Sequence, residues 1–197
     1  MGTTAGEIDR IKRELRARCL AARDAIAAGI RDDGAKLLSK FGLGFAGVSG
    51  GAVVSAYAAM GSEIDPLALI TRLSSSGFRT CLPVIQPLGQ PLVFRAWAPG
   101  QPLVARTWGI REPAEAARPL APDILLVPLL AFDAHGWRLG HGGGYYDRTL
   151  ERLRGIKPVV AIGLAYDSQE LAAVPTGPHD QPLDWVLTPK GPRRRLA

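Results

Sequence analysis

The stretch Arg138 to Leu150, RLGHGGGYYDRTL, gathers residue types that suit an anionic ligand. Gly140, Gly142, Gly143 and Gly144 lead into Tyr145, Tyr146, Asp147 and Arg148. Glycine lacks Cβ, so such a run can turn sharply and bring backbone close to a ligand. Successive N–H groups in a turn of this kind can form an anion nest. Tyr146, Leu150 and Leu153 recur at helical spacing just after it. A glycine turn that feeds a helix N-terminus suits phosphate oxygens. Asp147 stands where a carboxylate could hold a metal beside those phosphates. The run lacks the Gly-Lys-Ser/Thr ending of a Walker A loop. It also lacks the apolar strand before it, and the acid about 20 residues after it, that a dinucleotide fingerprint requires. On residue types alone, a plain turn remains the alternative.

A second pair with chemical meaning lies near the start of the chain. Lys12 and Arg16 are one helical turn apart in a segment that reads as a helix over 7–28, with Ile8, Ile11, Leu15, Leu20 and Ile26 as its apolar stripe. Two like charges so placed repel unless an anion sits between them; a solvated helix surface is the alternative.

Several elements must position these groups. A second helix is expected from Asp32 to about Leu43, then a strand over Val48–Tyr57 and a helix over Asp65–Ser74 with Pro66 near its start. This is a βα unit of a parallel sheet, and it places Tyr57 and Glu63 at the strand end and in the loop after it, where ligand groups collect in open α/β sheets. Arg79–Ile85 and Leu92–Trp97 read as a hairpin around Pro87 and Gly89. Trp108–Pro113 reads as an irregular loop, with Trp108 either core or a stacking surface. Three prolines between Glu112 and Pro122 exclude a long helix there. Asp123–Pro128, DILLVP, is the most strand-like segment and should be central. Asp133–Gly136 reads as a tight turn, Tyr145–Arg154 as a helix and Lys157–Tyr166 as a buried strand. Asp167–Val174 reads as a short helical excursion and Leu183–Thr188 as the last strand. The final PRRRL reads as a solvated tail. Neither a dividing linker nor an internal repeat is evident, so residues 1–197 are expected to form one domain.

Composition narrows the function classes. The apolar fraction of 47% argues against disorder, and the charged first 20 residues carry no signal-peptide core. No run reaches transmembrane length. Cys19 and Cys81 form no disulfide framework, which points to a reducing, cytoplasmic setting, and three scattered histidines make no zinc site. The net charge of +6 suits an anionic cofactor or a polyglutamate-like substrate as well as nucleic acid. It is spread along the chain rather than striped on one element. No nucleic-acid module is present, so neither nucleic acid nor membrane is expected as a partner.

Taken together, these segments resemble the 5-formyltetrahydrofolate cyclo-ligase family, also called methenyltetrahydrofolate synthetase. The likeness runs through KRELR at 12–16, Tyr57 with Glu63, GIREP at 109–113 and DILLVPLLAFD at 123–133. It continues through RLGHGGGYYDR at 138–148, IGLAYDSQ, the VP and HD of 174–180, and LDWVLTPKG. The resemblance implies a three-layer open α/β sandwich with a central, mostly parallel, mixed sheet, similar to the sugar-isomerase and CoA-transferase-like fold. It implies closure of 5-formyltetrahydrofolate, polyglutamylated or not, to 5,10-methenyltetrahydrofolate with ATP and Mg²⁺, in a monomer or weak homodimer. Lys12, Arg16 and the glycine turn (Gly140, His141, Gly142, Gly143, Gly144 and Tyr145) would then hold the nucleotide phosphates. Asp147, with Asp184 as a second candidate, would belong to the magnesium side. Tyr57, Glu63, Trp108 and Tyr145 would line the folate site. Tyr145, Arg148 and Glu63 would act at the reacting groups, by orienting, by offsetting charge and by hydrogen bonding. The chain departs from the pattern at the turn: Gly143 stands where some relatives carry a basic residue, and His141 where an arginine is frequent. His141 is expected to serve as a phosphate-side donor rather than a general base. Asp147→Asn is expected to leave thermal stability nearly unchanged. The rival readings are a non-catalytic folate-, nucleotide- or RNA-binding relative, and a sugar-phosphate isomerase or acyl-CoA transferase on a related fold.

Overall fold

In the computed structural model, which describes residues 5–106 and 109–197, the apolar runs assemble into a seven-stranded sheet. The DILLVP segment supplies β6 (Ile124–Pro128) at its centre. Ile124 and Leu126 face one helical layer, and Leu125 and Val127 the other. A strand alternates sides at every residue, so one buried on both faces reads as a continuous apolar run. β6 pairs in parallel with β1 (Val53–Ser55) and with β9 (Val160–Leu164). β2 (Arg79–Val84) adds in parallel beyond β1, and β10 (Trp185–Thr188) beyond β9. Both edges are antiparallel: β3 (Val93–Ala96) against β2, as the expected hairpin, and β11 (Gly191–Arg194) against β10.

Helices α2 (Ala28–Phe41) and α3 (Leu67–Ser75) cover one face through Leu38, Leu69, Ile70 and Leu73. Helix α4 (Tyr145–Arg154) covers the other through Leu150 and Leu153. The result is the three-layer sandwich with a mixed, mostly parallel sheet. Helix α1 (Ala5–Asp24) sets Leu15 and Cys19 against a small hairpin, β7 (Ala131–Phe132) and β8 (Arg138–Leu139). A further short pair, β4 (Val104–Ala105) with β5 (Arg111–Glu112), lies outside the main sheet. Asp133 closes the β7–β8 turn by accepting from the amides of His135 (3.0 Å) and Trp137 (3.1 Å), the structural role its position suggested.

From β1 the chain runs through α3 outward to β2; from β6 it runs through α4 to β9 in the opposite direction. Parallel crossovers are right-handed, so the two helices fall on opposite faces and the connections diverge between β1 and β6. A crevice opens at the carboxyl ends of the strands at that point.

Four expectations need correction. The first helix, expected over 7–28, ends at Asp24, and the second starts at Ala28 rather than Asp32, because Ile26 turns into the core and the buried Arg23 is fixed by Ser62 Oγ (3.0 Å) and the Leu129 carbonyl (3.2 Å). The strand over 48–57 pairs only at Val53–Ser55, because Gly51 turns with φ +91° and its amide bonds Gly77. The excursion at 167–174 is a single 3₁₀ turn, Asp167–Gln169. The tail is ordered as β11: Arg193 pairs with Asp167 and Glu170, and Arg194 lies over the Trp185 ring. Its proline and arginines also blunt an exposed sheet edge.

Burial pushes the Cys81 thiol up to about 12. We expect a thiol reagent at about pH 8 to reach Cys19 first, and Cys81 only after unfolding, because the thiolate is the reactive species. Prompt labelling of two thiols per folded chain would contradict this.

Candidate active site

The crevice is a cavity of about 570 Å³, walled by α1, the loop after β1 and the glycine turn before α4. The turn exists because β8 must hand the chain to α4 across the sheet end. Gly142 (φ +100°) and Gly144 (φ +65°) take left-handed conformations that only glycine adopts without strain. Gly144 occupies the N-cap position of α4, and no side chain caps the helix. The first amides of a helix have no partner within it, so this end carries donors and a partial positive charge. Gly143 is explained differently. A Cβ there would come within 2.9 Å of the Tyr145 ring, which lies over it.

Lys12 and Arg16 both line the cavity, so the like-charge pair faces the site rather than solvent. Lys12 is 8% exposed and its ammonium pairs with Asp180. Arg16 Nε donates to the Gly140 carbonyl at 2.9 Å, tying α1 to the glycine turn. Their guanidinium and glycine surfaces touch: a Cβ on Gly142 would lie 3.2 Å from Arg16 Cζ. Gly142→Ala is therefore expected to displace Arg16 and strain the turn, raising the KM for a phosphate-bearing substrate about tenfold while changing the KM of a substrate bound elsewhere much less. Initial rates with each substrate varied in turn check this; equal shifts in both would contradict it.

Across the cavity, the Glu63 side chain is 7% exposed. Its Oε2 accepts from the Met60 amide at 3.0 Å, its Oε1 lies 3.1 Å from His141 Nε2, and Arg23 stands 4.0 Å away. His141 thus faces Glu63 rather than the α1 cations. The Tyr57 hydroxyl donates to the Ile64 carbonyl at 2.7 Å, so Tyr57 offers the cavity a ring rather than a free hydroxyl. Burial, then the Glu63 charge, pushes the Tyr57 and Tyr146 phenols well up, and both stay protonated. The Tyr145 hydroxyl donates to the Gln86 carbonyl at 2.9 Å.

Asp147 lines the cavity in the first turn of α4. Its Oδ1 accepts from Arg138 (2.7 Å) and from the Gln181 amide (3.1 Å), while Oδ2 has no bond to a described residue. Among the described residues no three His, Cys, Asp or Glu side chains gather as a metal centre. One unpaired carboxylate oxygen on a residue that lines the same cavity as Lys12 and Arg16 is still compatible with Mg²⁺, which is commonly held by one or two carboxylates plus substrate phosphates.

Two site residues lie elsewhere. Asp184 does not reach the cavity: it precedes β10, and its Oδ2 accepts from Arg154 (3.0 Å) and the Ala161 amide (2.8 Å), at the amino end of the parallel strands. Arg148 braces the turn instead of lining the cavity, with its guanidinium on the Gly143 (2.5 Å) and Gln90 (3.4 Å) carbonyls and over the Tyr145 ring. Trp108 falls outside the described residues. Conversely, Arg138, Asp180 and Arg23 hold the site together without having been singled out. Arg138 opened the glycine motif and Asp180 closed the HD pair, which was the signal available in the sequence.

The sequence profile of the 5-formyltetrahydrofolate cyclo-ligase family matches residues 8–189. The chain belongs to this family. A 5-formyltetrahydrofolate cyclo-ligase of Mycolicibacterium smegmatis is 37% identical over 191 residues, covering 92% of this chain and 95% of that one. Its Escherichia coli K12 counterpart is 38% identical over 141 residues, 69% of this chain and 77% of that one. Among solved structures, the 5,10-methenyltetrahydrofolate synthetase of Aquifex aeolicus superposes with a TM-score of 0.72 at 26% identity, covering 93% of this chain and 92% of that one. The family match spans both halves of the cavity, from Lys12 to Asp180.

Proposed function

We infer that this chain closes 5-formyltetrahydrofolate to 5,10-methenyltetrahydrofolate, converting ATP to ADP and phosphate. The observation that carries this reading is the meeting of Lys12 and Arg16 with the glycine turn at the strand switch point, inside the span of the family match.

The formyl group on N5 is an amide, and its oxygen is a poor leaving group. Transfer of the γ-phosphoryl group to that oxygen, with ADP departing, gives an iminium-like phosphate. N10 then attacks the formyl carbon, its proton goes to solvent, and phosphate leaves with the former formyl oxygen. The chain's task is positioning and charge, with no protein nucleophile. Lys12, Arg16 and the uncapped amides at the start of α4 hold the phosphates. Arg148 keeps the turn in shape through Gly143 and acts by positioning. Glu63, fixed by Met60 and His141, binds the pterin or the N10 side, and His141 acts with Glu63 in that role. Tyr145 orients the formyl group against the phosphate. Asp147 is the protein ligand on the magnesium side, and the ion neutralises phosphate charge when bound. The two unpaired cysteines suit a cytoplasmic setting.

The test is ATP-dependent growth of methenyltetrahydrofolate absorbance from the 5-formyl isomer. Folate and ATP binding without that growth would favour the non-catalytic relative, and loss of both would end the reading.

A further inference from the structure

The large cavity does not stop at Tyr145. A second groove of about 470 Å³ continues on the far side, and Ile85 and Tyr145 line both. The Tyr145 hydroxyl on the Gln86 carbonyl makes the divide between them. The groove lies between the β2–β3 hairpin and the arm that carries β4 and β5, and Arg95 and Arg106 face into it. Arg111 stands at the same end of the large cavity.

The proposed reaction has two large substrates. A pocket that encloses one drug-sized ligand measures about 300–1,000 Å³. A cavity of about 570 Å³ therefore takes one such ligand, and part of the second must lie outside it. The phosphate-binding groups occupy the α1 end, around Lys12 and Arg16, and the groove opens at the opposite end, beyond β2. A ligand whose reacting atoms meet the phosphates near Tyr145 would send its remainder past that ring into the groove.

The charges name the remainder. The Arg95 guanidinium makes no hydrogen bond or ion pair with another described residue, although Arg95 is half-buried. Arg106 has only a 3.8 Å contact with Glu115, whose side chain is 83% exposed. An exposed pair of that length contributes little and exchanges readily for a ligand carboxylate. The groove also holds Glu112, but its Oε1 is fixed on the Ile85 amide at 2.8 Å and Glu112 is only 5% exposed. Glu115 shares the lining, but it is 83% exposed and held only by the 3.8 Å contact with Arg106, so the two guanidiniums are the groups best placed to meet a ligand. Leu88, 80% exposed, and Pro87 supply an apolar wall. An apolar ring ending in carboxylates fits this lining; a neutral nucleoside leaves both guanidiniums without partners.

We propose that the groove beyond Tyr145 binds the benzoyl-glutamate end of the folate, with Arg95 and Arg106 pairing with its carboxylates. This rests on the folate reading above, and one experiment separates the two. Arg95→Ala and Arg106→Ala are assayed with 5-formyltetrahydrofolate and with 5-formyl-6-(anilinomethyl)tetrahydropterin, which keeps N5, N10 and the benzene ring but lacks the carbonyl-glutamate and its carboxylates. Each variant should raise the KM for the full substrate about tenfold, the scale of one charge-assisted hydrogen bond, and leave the ATP KM and the truncated-substrate kinetics unchanged. A misfolded variant would lose turnover with both substrates and is recognised by that. A raised ATP KM would assign the groove to the nucleoside, and equal effects on both folates, or none, would also overturn the proposal. Wild-type protein inactive on 5-formyltetrahydrofolate would instead overturn the proposed reaction.

Discussion

Asp147→Asn is expected to lower turnover about 10²-fold, the scale of removing one electrostatic contact from a transition state. The change keeps the size of the side chain and removes its charge. Raising free Mg²⁺ should restore part of the loss, because the carboxylate competes with water for a hard cation. The structure also revises the thermal expectation. The Arg138 side chain is 5% exposed and pairs with Asp147 at 2.7 Å, so neutralising Asp147 strips a buried cation of its counter-charge. Complete loss of a buried partner costs about 3–5 kcal/mol. Asp147 itself is 25% exposed and Arg138 keeps the Gln181 carbonyl, so a loss of about 1–2 kcal/mol and a fall of a few degrees in Tm are expected. The measurements are kcat against free Mg²⁺ and a melting curve for each protein. Wild-type turnover with unaltered Mg²⁺ dependence would remove Asp147 from the metal side.

The second large effect concerns nucleotide affinity. Lys12→Ala is expected to raise the ATP KM about 10- to 100-fold, the range of one hydrogen bond to a charged group, with a smaller effect on kcat and little on the folate KM. Lys12 is nearly buried, and its one ion-pair partner among the described residues, Asp180, lines the same cavity. Truncation therefore also leaves the Asp180 carboxylate facing the phosphates uncompensated, which adds repulsion to the lost attraction. Arg16→Ala should act in the same direction, with a further loosening of the turn through Gly140. Rates with ATP and folate varied separately decide the matter: an unchanged ATP KM in both variants would return the pair to the status of surface charge.

What the sequence determined by itself was local. The apolar runs announced β6 and β9, because strands buried on both faces carry apolar residues at every position. The helical period of Tyr146, Leu150 and Leu153 announced α4, and the glycines before it announced a turn with left-handed residues. The cationic pair on α1 was visible as a pair because Lys12 and Arg16 lie one turn apart. Tertiary structure alone decided what those groups face. Lys12 meets Asp180 across 168 residues, Arg16 meets Gly140 across 124, and Glu63 meets His141 across 78. Such pairs leave no period in the sequence. They arise because β1 and β6 are neighbours whose connections diverge, which gathers distant loops at one end of the sheet. The same register sends Asp184 to the other end, although it lies only four residues after Asp180. The arginine-rich tail shows the limit most plainly. Residue types suggested a solvated end, whereas β10 offered an unpaired edge, and Asp167, Glu170 and Trp185 offered partners for two of its arginines, which together made it a strand.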